Sequence, residues 1–229
     1  MTKNNIIRED APLLNDYIFK RTFTKGSPNG ILKDFLEAVL DMKLRNVEVL
    51  NAEIPKDILE EKGSVLDIRA KLNDERLIDI EMQVKDEGNI DKRSTVYMSK
   101  NISTQINVGE DYQNLKPSIV INILNFNRYK RNSYHLIAHM KFEKTKKEEY
   151  VKLGYEKEDE IATDALEMHF IELPKFIKKN PEIKTKLEEW LYLIIGREDK
   201  VKMSKLNNPE VQKAMKLVEE IMSDPKERE

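Results

Sequence analysis

The chain has 229 residues, of which 39% are hydrophobic and 36% are charged, and this suffices for one compact core or for a core domain with a helical appendage. Its 40 basic and 42 acidic residues give a net charge of -2, so nucleic-acid binding requires a local basic patch. The absence of cysteine excludes disulfides, zinc-thiolate sites and cysteine nucleophiles, and with three histidines a multi-histidine metal site is not expected.

Neither a targeting signal nor a membrane segment is expected. Residues 1–16 lack the apolar stretch of a signal peptide, and no segment approaches the length of a membrane span. These features predict a cytoplasmic protein that makes no contact with a membrane.

The first part of the chain predicts two helices and a strand. A proline at the first turn and the spacing of the apolar residues predict a short helix over Pro12–Phe23, on which Asp16 and Lys20 share one face. The wide apolar stripe of Ile31–Leu40 predicts a helix that covers a sheet. Alternating residues over Val47–Ile54 predict a strand.

A β-hairpin is predicted over Ser64–Lys85, where polar and apolar residues alternate on both sides of a turn at Asn73–Glu75. With the turn centred on Asp74, Asp67 stands directly opposite Glu81. The other predicted cross-strand pairs are Leu72 with Arg76, Ala70 with Ile78, Arg69 with Asp79, Ile68 with Ile80 and Leu66 with Met82.

The pair of carboxylates on this hairpin points to a metal site. Asp67 and Glu81 repel each other as cross-strand neighbours, at a cost of about 0.2–1 kcal/mol. A hard divalent cation offsets that repulsion, since Mg²⁺ is held by one or two carboxylates together with water and phosphate oxygens. Gln83 and Lys85 project from the same face of the strand as Glu81.

A solvated outer face is the alternative interpretation of the same residues, and the pattern alone favours it. Arg69 opposite Asp79 is an ordinary cross-strand ion pair. A slip of one residue in the register would also separate Asp67 from Glu81.

A long helix and a buried strand are predicted after the hairpin. Asn89 is the predicted N-cap of a helix over Ile90–Val108, and Ser118–Leu124 reads as a buried central strand. One stripe of the helix carries Arg93, Tyr97, Lys100 and Thr104. Beside a metal site this stripe would contact phosphates and stack on sugars or bases, whereas its alternative is a solvated helix face.

The most basic segment of the chain is Arg128–Lys152. It is either a solvated loop or a surface for non-specific phosphate contact. Strands predicted over Tyr134–Phe142 and Leu166–Leu173 carry the three histidines, which we interpret as structural. These histidines are His135, His139 and His169.

Two helices are predicted at the end of the chain. The first covers Ile183–Ile194 and ends before Gly196. The second begins at Asn208 and is sharply amphipathic, so it packs either on its own domain or on a partner subunit in a homodimer.

Several of these segments together resemble a known family. Asp67 is followed across the hairpin by Glu81-Met82-Gln83, the leading helix carries Asp16–Lys20 as DYIFK, and a later strand follows Lys116-Pro117. The order and spacing of these residues are similar to the recombination-promoting nuclease and transposase family, within the PD-(D/E)XK nuclease superfamily. The resemblance runs from about residue 15 to about residue 126.

The resemblance implies an α/β fold with a restriction-endonuclease-like core, a mixed central β-sheet flanked by helices, and a helical C-terminal part. The core would cover residues 1–127, and an extension over residues 128–229 would complete the sheet and add helices. The implied function is a metal-dependent DNA endonuclease linked to recombination, transposition or mobile elements.

The resemblance also assigns roles to individual residues. Asp67 and Glu81 would bind Mg²⁺, or Mn²⁺ or Ca²⁺, with Asp16 as an accessory carboxylate. Gln83 falls where the superfamily usually has lysine, so Lys100 or Lys85 would supply the missing positive charge in catalysis. Two alternatives stay open, namely a catalytically inactive nucleic-acid-binding protein of this fold and an assembly protein that uses its last helix.

Overall fold

The computed structural model describes residues 11–25, 30–50, 68–141, 161–179, 182–196 and 205–224. The helices are α1 (Asp16–Thr24), α2 (Ile31–Leu40), α3 (Ile90–Ser103), α4 (Leu173–Lys179), α5 (Lys186–Ile194) and α6 (Pro209–Ser223). The strands are β1 (Val47–Leu50), β2 (Ile68–Leu72), β3 (Leu77–Gln83), β4 (Ser118–Leu124), β5 (His135–Lys141) and β6 (Ile161–Glu172). Short 3-10 turns cover Pro12–Leu14 and Tyr112–Asn114.

One mixed six-stranded sheet organises the described part of the chain, in the order β1-β2-β3-β4-β6-β5. Strands β3, β4 and β6 run parallel to one another, and the other neighbouring strands pair antiparallel. The parallel strand β4 is buried along its whole length, which confirms the predicted central strand. Both β5 and β6 belong to this sheet, and the division of the chain at residue 127 stays a prediction.

The hairpin of β2 and β3 has the predicted register. Arg69 opposes Asp79, Ile68 opposes Ile80, and the amide of Leu72 donates to the carbonyl oxygen of Arg76 at the turn. The period of two and the short polar turn fix this pairing. Leu66 and Asp67, and therefore the predicted pair of Asp67 with Glu81, lie outside the described residues.

The two faces of the sheet are covered differently. Ile78, Ile80 and Ile121 face a large apolar core that also contains buried residues of α1, α2, α4, α5 and α6. The opposite face is covered by α3, through smaller clusters around Met98 and Ile90. The polar side chains of β3, from Asp79 to Gln83, lie on the α3 side.

One carboxylate on α2 forms hydrogen bonds with α5 and with the residue that caps α6. Asp34 on α2 accepts hydrogen bonds from the indole nitrogen of Trp190 (2.9 Å) and the amine of Lys186 (2.7 Å), both on α5, and from the amide of Asn208. Asn208 caps α6 by accepting from the amide of Glu210 (2.9 Å). Because its apolar stripe lies in the main core, α6 covers its own domain.

Several element boundaries differ from the prediction. The helix predicted from Pro12 is interrupted at Asn15, whose backbone is extended and whose side chain accepts from the amide of Ile18, so that α1 begins at residue 16. The helix predicted to Val108 ends at Ser103, where the Ser103 and Thr104 hydroxyls donate to backbone carbonyls of the last turn.

The other differences concern strands and one short helix. Strand β6 begins at Ile161, five residues before its predicted start at Leu166, because it pairs there with the end of β5. Helix α4 was not predicted. Strand β5 begins at His135, one residue after the start of the strand predicted over Tyr134–Phe142, and Phe142 lies outside the described residues. So do residues 51–54 of the strand predicted over Val47–Ile54. Among the described helices, none has the length and apolar character needed to cross a bilayer.

Candidate functional site

The polar face of the hairpin is buried beneath α3. Asp79, Glu81 and Gln83 alternate along β3 with apolar residues of the main core, so their side chains point to the opposite face, where α3 packs. Asp79 is 0% exposed and Glu81 is 1% exposed. The expectation of a solvated outer face is therefore wrong for these two carboxylates, because a helix that follows in the chain crosses over them.

An arginine of α3 neutralises Glu81. The Arg93 guanidinium lies 3.1 Å from the Glu81 carboxylate through Nη2, and its Nε donates to the Tyr97 hydroxyl oxygen at 2.7 Å. The Gln83 amide nitrogen is 3.5 Å from the same carboxylate. Burial lowers the pKa of Arg93, but the attraction of Glu81 and the bond to Tyr97 outweigh it and hold this pKa above its ordinary value.

Lys100 lies beside this group on the same stripe of α3. Its amine is 5.7 Å from the centre of the Tyr97 ring, and the Arg93 guanidinium is 5.5 Å from that centre. Lys100 is 6% exposed, and burial lowers the pKa of its amine. Since Tyr97 and Lys100 are both buried, the alternative of a solvated helix face is wrong for them.

A second polar group lies one step further along β3. The Asn101 amide donates to Asp79 at 2.6 Å and to the Ser118 hydroxyl at 3.2 Å, and the Arg69 Nε lies 3.8 Å from the other Asp79 oxygen. Burial raises the pKa of Asp79 to about 7, against the opposing effects of Arg69 and Asn101. Within the described part of the chain, Asp79 Oδ1 has no hydrogen-bond partner.

Asn101 was missed by the sequence analysis, and a signal for it existed. It follows Tyr97 by four residues, so the helical period places both on one face. Since Tyr97 faces the sheet, Asn101 faces it too and needs a polar partner there. That partner is Asp79.

The remaining predicted site residues are not brought to Glu81 by contacts of the described chain. Asp67 lies outside the described residues. Asp16 is exposed at the start of α1 and makes neither a hydrogen bond nor an ion pair with Glu81, so its role stays a prediction. Lys85 follows the end of β3 and is exposed.

The start of the basic segment is engaged with carboxylates. Arg128 lies 3.2 Å from Asp91 and 3.9 Å from Asp86, and its amide donates to Glu172. Lys130 and Arg131 are exposed. Residues 142–152 of the segment lie outside the described residues, so phosphate contact by the segment as a whole stays a prediction.

The three histidines form a separate network with Glu167 on the other face of the sheet. His169 lies 2.9 Å from His135 and 2.7 Å from Glu167, which also bonds to His139 at 2.9 Å. Burial and the neighbouring His169 lower the pKa of His135 to about 4. The hydrogen bonds from His169 and His139 lower the pKa of Glu167 to about 2. The network has no contact with Glu81.

The donors around Glu81 fit a hard divalent cation by chemistry. Carboxylate and amide oxygens are the ligands that Mg²⁺ and Ca²⁺ prefer. In the described structure the positive charge against Glu81 comes from the Arg93 guanidinium. Over residues 11–25, 30–50, 68–141, 161–179, 182–196 and 205–224, no group of three or more His, Cys, Asp or Glu side chains is placed to hold a metal ion. The described residues therefore do not supply a full set of metal ligands around Glu81, and its role as a ligand stays a prediction.

A mixed sheet with helices on both faces and a buried carboxylate on the second strand of its hairpin defines a restriction-endonuclease-like α/β protein. The model of the family described as PD-(D/E)XK nuclease family transposase matches residues 13–229, and the chain belongs to this family. The match confirms the resemblance and extends it over the C-terminal half. Comparisons with curated proteins and with solved structures give no significant match. Family membership supports a nuclease or transposase-like role.

Proposed function

We propose that this protein is a metal-dependent DNA endonuclease in which Glu81 and Asp67 hold a divalent cation, Mg²⁺ or else Mn²⁺ or Ca²⁺. The observation that supports this most is the burial of Glu81 at 1% exposure, with a guanidinium 3.1 Å away. The link to recombination or transposition rests on the family alone.

A buried charge with no structural purpose would be costly to keep. An ionised carboxylate that is removed from water must be compensated by a cation or by hydrogen bonds. A core position would be filled more stably by an apolar side chain, as at Ile78 and Ile80 on the same strand. The retention of Glu81 at this position therefore favours a role in chemistry over a role in folding.

Asp67 is the natural second ligand because of its place in the chain. It is bonded to Ile68, and Ile68 opposes Ile80, the residue that precedes Glu81. A ladder continued by one residue would set the two carboxylates side by side. Asp16 is proposed only as an accessory carboxylate.

The bound ion would supply an activated water and neutralise the charge that develops on the phosphate during cleavage. Glu81 and Asp67 position that ion. Gln83, whose amide can both donate and accept, orients the attacking water or the substrate. Lys100 provides the positive charge that superfamily members usually carry at the position of Gln83, and its burial strengthens its action on a nearby anion.

Cleavage of supercoiled plasmid in Mg²⁺, Mn²⁺ or Ca²⁺ tests this proposal. Glu81→Gln and Asp67→Asn remove one charge each without changing side-chain size, and we expect both to abolish nicking and linearisation. The matched control is Glu48→Gln, which changes a glutamate on β1, two strands from Glu81, whose side chain is 58% exposed, and it should cut like the wild type.

Two results would contradict the proposal. One is cleavage that persists in Glu81→Gln, and the other is an intact plasmid with the wild-type protein under all three metals. The second result, together with retained DNA binding, would favour an inactive nucleic-acid-binding protein of the same fold, for which Gln83 in place of lysine is the motivating feature.

A further inference from the structure

In the described part of the chain, the guanidinium that pairs with Glu81 belongs to a side chain that borders solvent. Arg93 projects from α3 with its side chain 32% exposed, whereas the Glu81 side chain is 1% exposed. Arg93 is held by the Nε bond to the Tyr97 hydroxyl oxygen, by the approach of its guanidinium to the Tyr97 ring at 5.5 Å and by its pair with Glu81. The buried partner is therefore fixed on the sheet, and the half-buried partner borders solvent.

A divalent ion and the guanidinium compete for this carboxylate. The Arg93 Nη2 lies 3.1 Å from Oε2 of Glu81, so the guanidinium already neutralises the charge that a metal ion would need. Two cations on one carboxylate repel strongly in a buried site, because the effective dielectric constant is low. An ion that binds Glu81 must therefore displace Arg93 or share the site with an added anion.

We propose that Arg93 is a counter-ion switch. It neutralises Glu81 when metal is absent, and it binds a phosphate of the nucleic acid instead when a metal ion binds Glu81. This inference rests on the proposed function. Guanidinium groups bind phosphate through parallel N–H bonds, so the phosphate replaces the carboxylate as an equivalent partner. The DNA backbone supplies that anion at the site where the metal is needed.

The exchange makes metal and DNA binding cooperative. DNA draws Arg93 away from Glu81 and so raises the affinity for the ion, and by thermodynamic reciprocity the ion raises the affinity for DNA by the same factor. The protein alone then binds metal weakly. The metal site is therefore assembled only when DNA is bound, which restricts cleavage to protein that is already on its substrate.

Mn²⁺ binding, measured by electron paramagnetic resonance with and without a short DNA duplex, tests the switch without reference to activity. For the wild type, we expect the duplex to tighten Mn²⁺ binding about tenfold, within the usual range for coupled ligands. Arg93→Gln should bind Mn²⁺ about tenfold more tightly than the wild type in the absence of DNA, and the duplex should then add no further tightening.

Two variants complete the experiment. Lys92→Gln removes the same charge from the neighbouring exposed residue of α3, and it should keep both the wild-type Mn²⁺ affinity and the coupling. Tyr97→Phe removes the oxygen that holds Arg93 but keeps the guanidinium, so it should shift Mn²⁺ affinity in the direction of Arg93→Gln by a smaller factor. If Arg93→Gln does not fold, the Mn²⁺ affinity of Tyr97→Phe still tests whether Arg93 competes with the metal for Glu81.

The results distinguish failure of the Arg93 switch from failure of the proposed metal-dependent nuclease function. If Glu81→Gln abolishes Mn²⁺ binding but Arg93→Gln and Tyr97→Phe bind Mn²⁺ with wild-type affinity or more weakly, the switch is wrong and the metal site stands. A wild type that binds no Mn²⁺ even with the duplex overturns the proposed function, and the switch with it.

Discussion

Removal of the Asp34 carboxylate tests whether α2 and the last two helices, α5 and α6, form one cooperative core. Asp34 Oδ1 accepts from both the Trp190 indole and the Asn208 amide, while Oδ2 accepts from Lys186. Trp190 is fully buried and packs against the rings of Phe23 and Phe35. The loss of Oδ1 thus leaves two donors without an acceptor inside the core.

The magnitude follows from those contacts. Each unsatisfied donor costs about 1–3 kcal/mol, and the Lys186 pair, whose lysine is half exposed, contributes about 0–1 kcal/mol. We expect Asp34→Ala to lower the free energy of unfolding by about 3–5 kcal/mol. Asp34→Asn keeps an oxygen for Trp190 and Asn208, so its loss should be about 1 kcal/mol.

Urea denaturation followed by Trp190 fluorescence and by circular dichroism measures both variants. Trp190 is the single tryptophan of the chain, so its fluorescence reports on this contact directly. Lys186→Gln is the control, because it removes the ion pair and leaves both Oδ1 bonds intact. Equal losses in the alanine and asparagine variants would show that the Oδ1 bonds do not stabilise the core. A fluorescence transition separate from the circular dichroism transition would show that these helices unfold independently.

Two further predictions concern a glycine and the histidine network. Gly196 has φ +62° and a Cβ added there would lie 2.8 Å from the Ala11 Cβ, so Gly196→Ala should cost about 2–3 kcal/mol in thermal or urea unfolding. Gly88→Ala, at φ +75° with open space around it, should cost about 1 kcal/mol, and an equal cost at both glycines would contradict the packing argument. The pKa of His135 is lowered to about 4, so the unfolded chain binds more protons than the folded one between that pH and the ordinary histidine pKa. The free energy of unfolding should therefore fall by on the order of 2 kcal/mol as pH drops from about 6.5 to 4, and His135→Asn should flatten that slope in urea titrations; an unchanged slope would refute the assignment.

The sheet register was predictable because it depends on local sequence. A period of two and a short polar turn determine the pairing of Ile68 with Ile80 without knowledge of the rest of the chain. Helix α2 was predicted at its observed bounds for a similar reason, since its apolar stripe is wide and continuous. In such segments the local sequence is enough to predict where the helix or strand begins and ends.

The environment of Glu81 was not predictable in the same way. Its burial depends on the path of α3 across the sheet, which brings Arg93 to β3 although the two residues lie on different elements. On α3 itself, the spacing of Arg93, Tyr97 and Lys100 was visible, but the sequence could not distinguish a buried stripe from a solvated one. Charged residues are usually solvated, and here a buried partner on the sheet reverses that expectation.

Helix boundaries failed where short polar side chains compete with the backbone. Asn15 ends the first 3-10 turn and caps α1, and Ser103 and Thr104 bond to carbonyls of the last turn of α3. Helix α4 has only seven residues and follows β6 directly, so it carried too little periodicity to be separated from the strand.

Whether Glu81 holds a divalent metal ion can be seen by anomalous diffraction from crystals of the protein grown with Mn²⁺ and a short DNA duplex. We expect a Mn²⁺ peak within about 2.2 Å of a Glu81 carboxylate oxygen, the distance at which hard divalent cations bind oxygen ligands. That peak should vanish in crystals of Glu81→Gln. A fully occupied Mn²⁺ site elsewhere, such as at Glu167 and His139, with no peak at Glu81, would contradict the claim.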